Sequence, residues 1–148
     1  MRRRHRPEQQ IHRAVVAHLR ARGVAGVVFL HPANGGARSA IEGAIFKGLG
    51  VAAGAPDLLL WHAGRSFALE LKVDSGRVSE SQAEMLQRLS AAGVTTAVCH
   101  GVDRAVACLE GWGLLRGAAS LRAVPQSDWD RMWSSPFGLT ESEKAEQR

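Results

Sequence analysis

Cysteine is scarce in this sequence: Cys99 and Cys108 are the only two, and aromatic residues make up 5% of its 148 positions. Two cysteines do not build a disulfide framework, and their separation fits no usual metal-binding spacing, so buried reduced thiols are expected. Thiols kept in that state accord with a cytoplasmic location. No cluster of Cys and His at ligand spacing is visible, which argues against zinc. No apolar run approaches the roughly 20 residues that cross a bilayer. The opening Met1-Arg2-Arg3-Arg4-His5-Arg6-Pro7 has no apolar stretch behind it, so a signal peptide is not expected either. Internal repeats and low-complexity blocks are also missing.

What is present is the composition of a globular domain, with 45% hydrophobic and 22% charged residues. The length suits one domain with a single buried core. The formal charge is +5, and it is unevenly placed: residues 1–115 carry 14 Lys and Arg against 9 Asp and Glu, while 116–148 carry five of each. The basic excess therefore belongs to the presumed folded part, which favours a polyanionic partner such as nucleic acid.

The stretch from Gly54 to Lys72 organises the rest. Two β-prone runs, Leu58-Leu59-Leu60-Trp61 and Phe67-Ala68-Leu69-Glu70-Leu71-Lys72, flank His62-Ala63-Gly64-Arg65. A short Gly-containing link between such runs signals a hairpin. A turn centred on Ala63-Gly64 pairs Trp61 with Ser66, Leu60 with Phe67, Leu59 with Ala68, Leu58 with Leu69, and Asp57 with Glu70. Side chains alternate along a strand, so Phe67, Leu69 and Leu71 face the core while Glu70 and Lys72 share the Asp57 face. A slip of one residue would bury Glu70 and Lys72 instead, which pins the register.

Two carboxylates set against each other are mutually destabilising and need a compensating charge. A hard divalent cation, Mg²⁺ or Mn²⁺, meets that need with oxygen ligands. Beside it, Lys72 would orient or activate a nucleophile and offset developing negative charge, which suggests phosphodiester hydrolysis.

Around this hairpin the chain alternates in type. A helix is predicted from Pro7, with Ile11, Val15, Val16 and Leu19 on one stripe and Gly23 ending it. Glu8 lies near its buried edge and complements the helix N-terminus; Gln9 and His12 are expected to face solvent. Val27 to Leu30 reads as a strand. The Gly-rich segment from His31 to Arg38 follows as a loop, in which His31, Asn34 and Arg38 are candidate phosphate-binding groups. Ser39 to Phe46 reads as a short helix. Lys47-Gly48-Leu49-Gly50 then breaks the chain, and its flexible backbone would admit DNA to the carboxylates, with Lys47 as a further binding group. Ser79 and Gln82 have capping-box spacing at the head of a helix carrying Ala83, Leu86 and Leu89, closed by Gly93. A strand from Val94 to Cys99 and a helix from Asp103 to Glu110 complete the pattern.

Pro56-Asp57, twelve intervening residues and Glu70-Leu71-Lys72 resemble the PD-(D/E)xK nuclease motif. With Lys47-Gly48-Leu49-Gly50-Val51 before it and Ser79-Glu80-Ser81-Gln82 after it, the order is similar to the stand-alone VRR-NUC branch, from about Glu8 to about Leu115. The resemblance implies an α/β, restriction-endonuclease-like αβββαβ core with a mixed β-sheet flanked by helices. It implies that Asp57, Glu70, Glu8 and the Leu71 carbonyl are metal ligands, that Lys72 is the catalytic lysine, and that Gln82 shapes the site. It further implies a Mg²⁺- or Mn²⁺-dependent endodeoxyribonuclease, bacterial or phage-encoded, acting on branched or Holliday-junction DNA as a homodimer. A non-catalytic DNA-binding or scaffolding module with the same fold is the alternative.

The domain division that follows is a basic arm over 1–6, a nuclease-like domain over 7–115, and a C-terminal extension over 116–148. That extension is expected to be partly disordered. Trp112, Trp129, Met132, Trp133 and Phe137 gather near the C-terminus and suit either packing onto the core or a dimer contact.

Overall fold

A computed structural model describes residues 7–32 and 39–117. The basic arm, Asn34, Arg38 and the aromatics beyond Trp112 lie outside the described residues.

Helix α1, Pro7–Arg22, opens the fold with Glu8 in its first turn and Arg20 and Arg22 in its last, a charge order that complements the helix dipole. Strand β1, Val28–Leu30, follows, then helix α2, Ala40–Gly48. Ser39 caps α2 through a capping box with Glu42. None of its side chains is buried, and Ile41, Ile45 and Leu49 are largely exposed. The hairpin comes next as β2, Leu58–His62, and β3, Arg65–Lys72. Helix α3, Glu80–Ala91, strand β4, Thr95–His100, and helix α4, Val102–Gly111, complete the described elements.

The sheet order is β1-β2-β3-β4, with β1 and β3 antiparallel to β2 and β4 parallel to β3. This is the mixed, helix-flanked sheet expected from the sequence, with α2 inserted between the first two strands. The hairpin register is also as expected, with Leu58 opposite Leu69 and Trp61 opposite Ser66. Ala63 and Gly64 have φ of 48° and 74°, so both turn residues are left-handed, the arrangement that matches strand twist in a tight hairpin.

Phe67, Leu69 and Leu71 point into one core with Leu58 and Leu60 of β2, Val15 and Leu19 of α1, and Ala105 and Leu109 of α4. Burying each such side chain contributes about 1.5–3 kcal/mol. Leu114 and Leu115 close the core, and the Trp112 ring lies 5.0 Å from that of Phe67. Of the C-terminal aromatics, the described one therefore packs within the subunit.

Three expectations change. Asp57 is not a ladder residue, because β2 begins at Leu58. Both faces of β3 are buried from Phe67 to Lys72, so Glu70 and Lys72 are 2% and 6% exposed, whereas only the apolar face was expected to be buried. On α3, Leu86 is buried but Ala83 is exposed, which narrows the predicted stripe.

Two cross-links escaped the sequence reading. Arg22 is buried and pairs with Glu110, and its Nε donates to the Arg116 carbonyl at 3.1 Å, tying α1 to α4 and the chain beyond it. Cys99 and Cys108 are free thiols as expected, Cys99 buried but Cys108 only half-buried.

Candidate functional site

Asp57 is delivered by the segment from Gly50 to Pro56. Gly54 has φ of 74°, and a Cβ there would lie 2.2 Å from the Ser81 carbonyl oxygen and 2.7 Å from the Gln82 nitrogen. Only glycine allows this backbone to press against the first turn of α3. One contact thus sets the approach of both Asp57 and Gln82.

The antiparallel ladder stops at Leu58 and Leu69, leaving the Leu71 amide without a β2 partner. Asp57 Oδ2 takes that place, accepting from the Leu71 N–H at 2.8 Å. A strand residue turns its N–H and C=O to the same side. The Leu71 carbonyl therefore faces the Asp57 side, while the Lys72 carbonyl faces β4 and accepts from the Gly101 N–H at 2.9 Å.

Glu70 sits between two donors. Lys72 Nζ is 2.9 Å from Glu70 Oε1, and Gln82 Nε2 donates to the same oxygen at 2.7 Å. Gln82 also completes the capping box, its Oε1 accepting from the Ser79 N–H at 2.9 Å. The amide has an acceptor end and a donor end, so capping α3 and holding Glu70 are one act. Glu8 is exposed rather than near a buried edge, but its Oε1 reaches to 4.0 Å from Lys72 Nζ.

These contacts separate the two acids. Burial raises the Glu70 pKa, the Asp57 charge adds to that, and Lys72 only partly offsets it. Burial also opposes ionisation of Asp57, but His12, the Leu71 N–H and Lys72 outweigh it and the pKa is lowered. For Lys72, burial favours the neutral amine, yet Glu70 first, then Glu8 and Asp57, raise its pKa. These neighbours favour the ammonium form of Lys72.

The largest correction concerns histidine. His12 was expected to face solvent, yet its side chain is 17% exposed and its Nδ1 lies 3.7 Å from Asp57 Oδ1. His31 Nδ1 lies 2.6 Å from the Asp57 carbonyl oxygen, and the two imidazoles meet edge to face with centroids 4.3 Å apart. His12, His31 and Asp57 offer ligand atoms all within 4.8 Å of one another, so a histidine-containing group that no local spacing revealed does assemble. The available signal was periodicity: His12 follows Glu8 by four residues and precedes the buried Val15 by three, on the same helix face.

Lys47 is exposed on α2 and lines a cavity of about 760 Å³ whose far wall includes Ser81 and Gln82. Gln82, which lines this cavity, is the residue whose Nε2 donates to Glu70.

The family model of the VRR-NUC domain matches residues 6–103. A solved structure named as a VRR_NUC domain protein superposes with a TM-score of 0.59 at 21% identity, covering 74% of this chain and 90% of that one. A second, named as a VRR_NUC domain, gives 0.49 at 18% identity over 71% of this chain and 96% of that one. No curated protein matches the sequence.

Proposed function

Because the chain belongs to the VRR-NUC family, a nuclease-fold module, we propose that it is a metal-dependent endonuclease that hydrolyses phosphodiester bonds in DNA. The observation that carries this is the placement of the Lys72 ammonium 2.9 Å from Glu70 and 4.0 Å from Glu8, on a strand whose preceding residue, Leu71, holds Asp57 through its amide. A buried cation at the meeting point of acids from three segments is costly for a surface hairpin and useful at a phosphodiester.

The proposed donor set is of the all-oxygen kind that a hard divalent ion takes, although the group whose ligand atoms converge among the described residues is His12, His31 and Asp57 rather than the three carboxylates. Asp57 commits one oxygen to Leu71 and leaves Oδ1 available, the Leu71 carbonyl is turned to the same side, and Glu70 and Glu8 add further oxygens. Such an all-oxygen set suits Mg²⁺ or Mn²⁺. When bound, the ion would polarise a phosphoryl oxygen and lower the pKa of a coordinated water. Lys72 supplies the positive charge that stabilises the negative charge gathering on the scissile phosphate. Gln82 keeps Glu70 oriented, and its place on the groove wall puts it where the strand would pass. Lys47 and His31, with Asn34 and Arg38, supply contacts to the flanking phosphates.

Branched DNA, a four-way junction in particular, is the proposed substrate, and a homodimer the proposed assembly. A two-fold dimer would present two sites to a symmetric junction. The basic excess over residues 1–115 supports a nucleic-acid partner.

The test is a cleavage panel of linear, flap and four-way DNA with Mg²⁺ or Mn²⁺, using wild type, Asp57→Ala and Glu70→Gln. Metal-dependent cutting that falls by at least ~10²-fold in both variants is expected. Salt-sensitive binding of every substrate without cutting by wild type would instead identify a DNA-binding module.

A further inference from the structure

We infer that His12, His31 and Asp57 form a second cation subsite that takes an imidazole-accepting transition ion of the Zn²⁺ type and shares Asp57 with the oxygen-ligand set around Glu70. The residues come from three segments: α1, the turn after β1, and the residue preceding β2. Their ligand atoms lie within 4.8 Å of one another. An ion about 2.0–2.2 Å from each ligand sets neighbouring tetrahedral ligands about 3.3–3.6 Å apart, so side-chain rotations that bring the atoms about 1 Å closer close the shell.

The hydrogen bonds fix which atoms are free. A backbone carbonyl can only accept, so the 2.6 Å contact with the Asp57 oxygen places the proton on His31 Nδ1 and leaves the lone pair on Nε2. A metal-ligating imidazole is usually held in this way, by its other ring N–H on a carbonyl or carboxylate. Asp57 is divided similarly, with Oδ2 occupied by the Leu71 N–H and Oδ1 turned to His12. The 3.7 Å between Asp57 Oδ1 and His12 Nδ1 is too long for a hydrogen bond. It is close to the spacing of two neighbouring ligands on one tetrahedral ion.

The chemistry of the set separates it from the Glu70 side. Imidazole suits Zn²⁺ and its first-row neighbours, whereas Mg²⁺ selects oxygen. Two nitrogens and one carboxylate also make a three-ligand shell with an open position, unlike a closed structural zinc site. Because Asp57 belongs to both sets, a transition ion held by the histidines competes for, or bridges through, the carboxylate that the oxygen set needs.

The test is Zn²⁺ binding to the full chain by calorimetry, with Co²⁺ absorption as a report of ligand geometry. The variants are His12→Gln and His31→Asn, which keep polar side chains of similar reach, each checked for folding by circular dichroism, together with Glu70→Gln. Wild type is expected to bind Zn²⁺, each histidine variant to lose at least ~10-fold in affinity together with the Co²⁺ spectrum, and Glu70→Gln to retain both. Equal Zn²⁺ affinity in wild type and the two folded histidine variants would overturn the subsite, as would the absence of Zn²⁺ binding to wild type. The readout is binding alone, so this result and the outcome of the DNA-cleavage panel are separable.

Discussion

At the scale of single residues, the site depends on how Gln82 divides its two ends. Its Oε1 caps α3 and its Nε2 holds Glu70. Gln82→Ala removes both bonds and is expected to lower stability by about 1–2 kcal/mol, read as a shift in urea midpoint. Ser79→Ala removes the reciprocal half of the cap but leaves Gln82 in place. It is therefore expected to destabilise the fold while sparing cleavage, whereas Gln82→Ala impairs both.

Outside the site, His18 yields a pH prediction. Its pKa lies below the ordinary 6.5, first because it is buried and then because Arg22 is beside it. Folding therefore favours the neutral ring, and the unfolded chain takes up a proton first as pH falls. That contribution is fully present above 6.5 and is lost as pH drops through the lower folded value. Melting temperature measured from about pH 7.5 to about pH 5 should fall more steeply for wild type than for His18→Gln.

Residue identity was partly legible in advance. Glu70 and Lys72 could be set on one face from strand alternation, because alternation is local, whereas Asp57 lies outside the ladder and its predicted pairing with Glu70 is not formed. His12, His31 and Arg22 could not be placed, because their partners Asp57 and Glu110 lie far along the chain.

At the scale of elements, the hairpin register follows from Phe67, Leu69 and Leu71 together with a turn whose two residues both have positive φ. These signals lie within a few residues of each other, so the sequence showed them. The position of Asp57 is different in kind. It is held by the Leu71 amide and by the packing of Gly54 on α3, and neither contact has a local pattern. Burial of Glu70 and Lys72 was equally hidden, since alternation names a face but not what covers it. Gly54→Ala is predicted to cost at least ~2 kcal/mol, from the left-handed backbone and from a Cβ driven into Ser81. Denaturant unfolding checks this, and DNA cleavage should fall with it because Asp57 and Gln82 move apart.

The α1 to α4 link gives a second test at this scale. Glu110→Gln leaves the buried Arg22 guanidinium without its carboxylate partner, and a loss of about 2 kcal/mol in unfolding free energy is expected. Cleavage by the remaining folded protein should be unchanged, because this pair holds the opposite end of α1 from Glu8 and His12.

At the scale of the whole molecule, the end of β3 carries Glu70 and Lys72, Asp57 stands just before β2, Glu8 comes from α1, and Lys47 is on the wall of the groove that Gln82 lines. Among the described residues no helix is long and apolar enough to cross a membrane. The net charge of +5 favours approach to a polyanion. DNA affinity should therefore fall linearly on a log–log plot against salt, by about 0.9 per phosphate contact. Lys47→Ala should reduce that slope by about one contact across all substrates.

The central claim is that the buried Lys72 ammonium serves the chemistry of phosphodiester cleavage rather than the binding of DNA. The most direct measurement is the single-turnover rate of cutting a four-way junction at saturating protein and Mg²⁺ or Mn²⁺, for wild type against Lys72→Met. A rate lower by about 10²–10³-fold, with junction affinity nearly unchanged, is predicted. Equal cutting rates for the two proteins would contradict it.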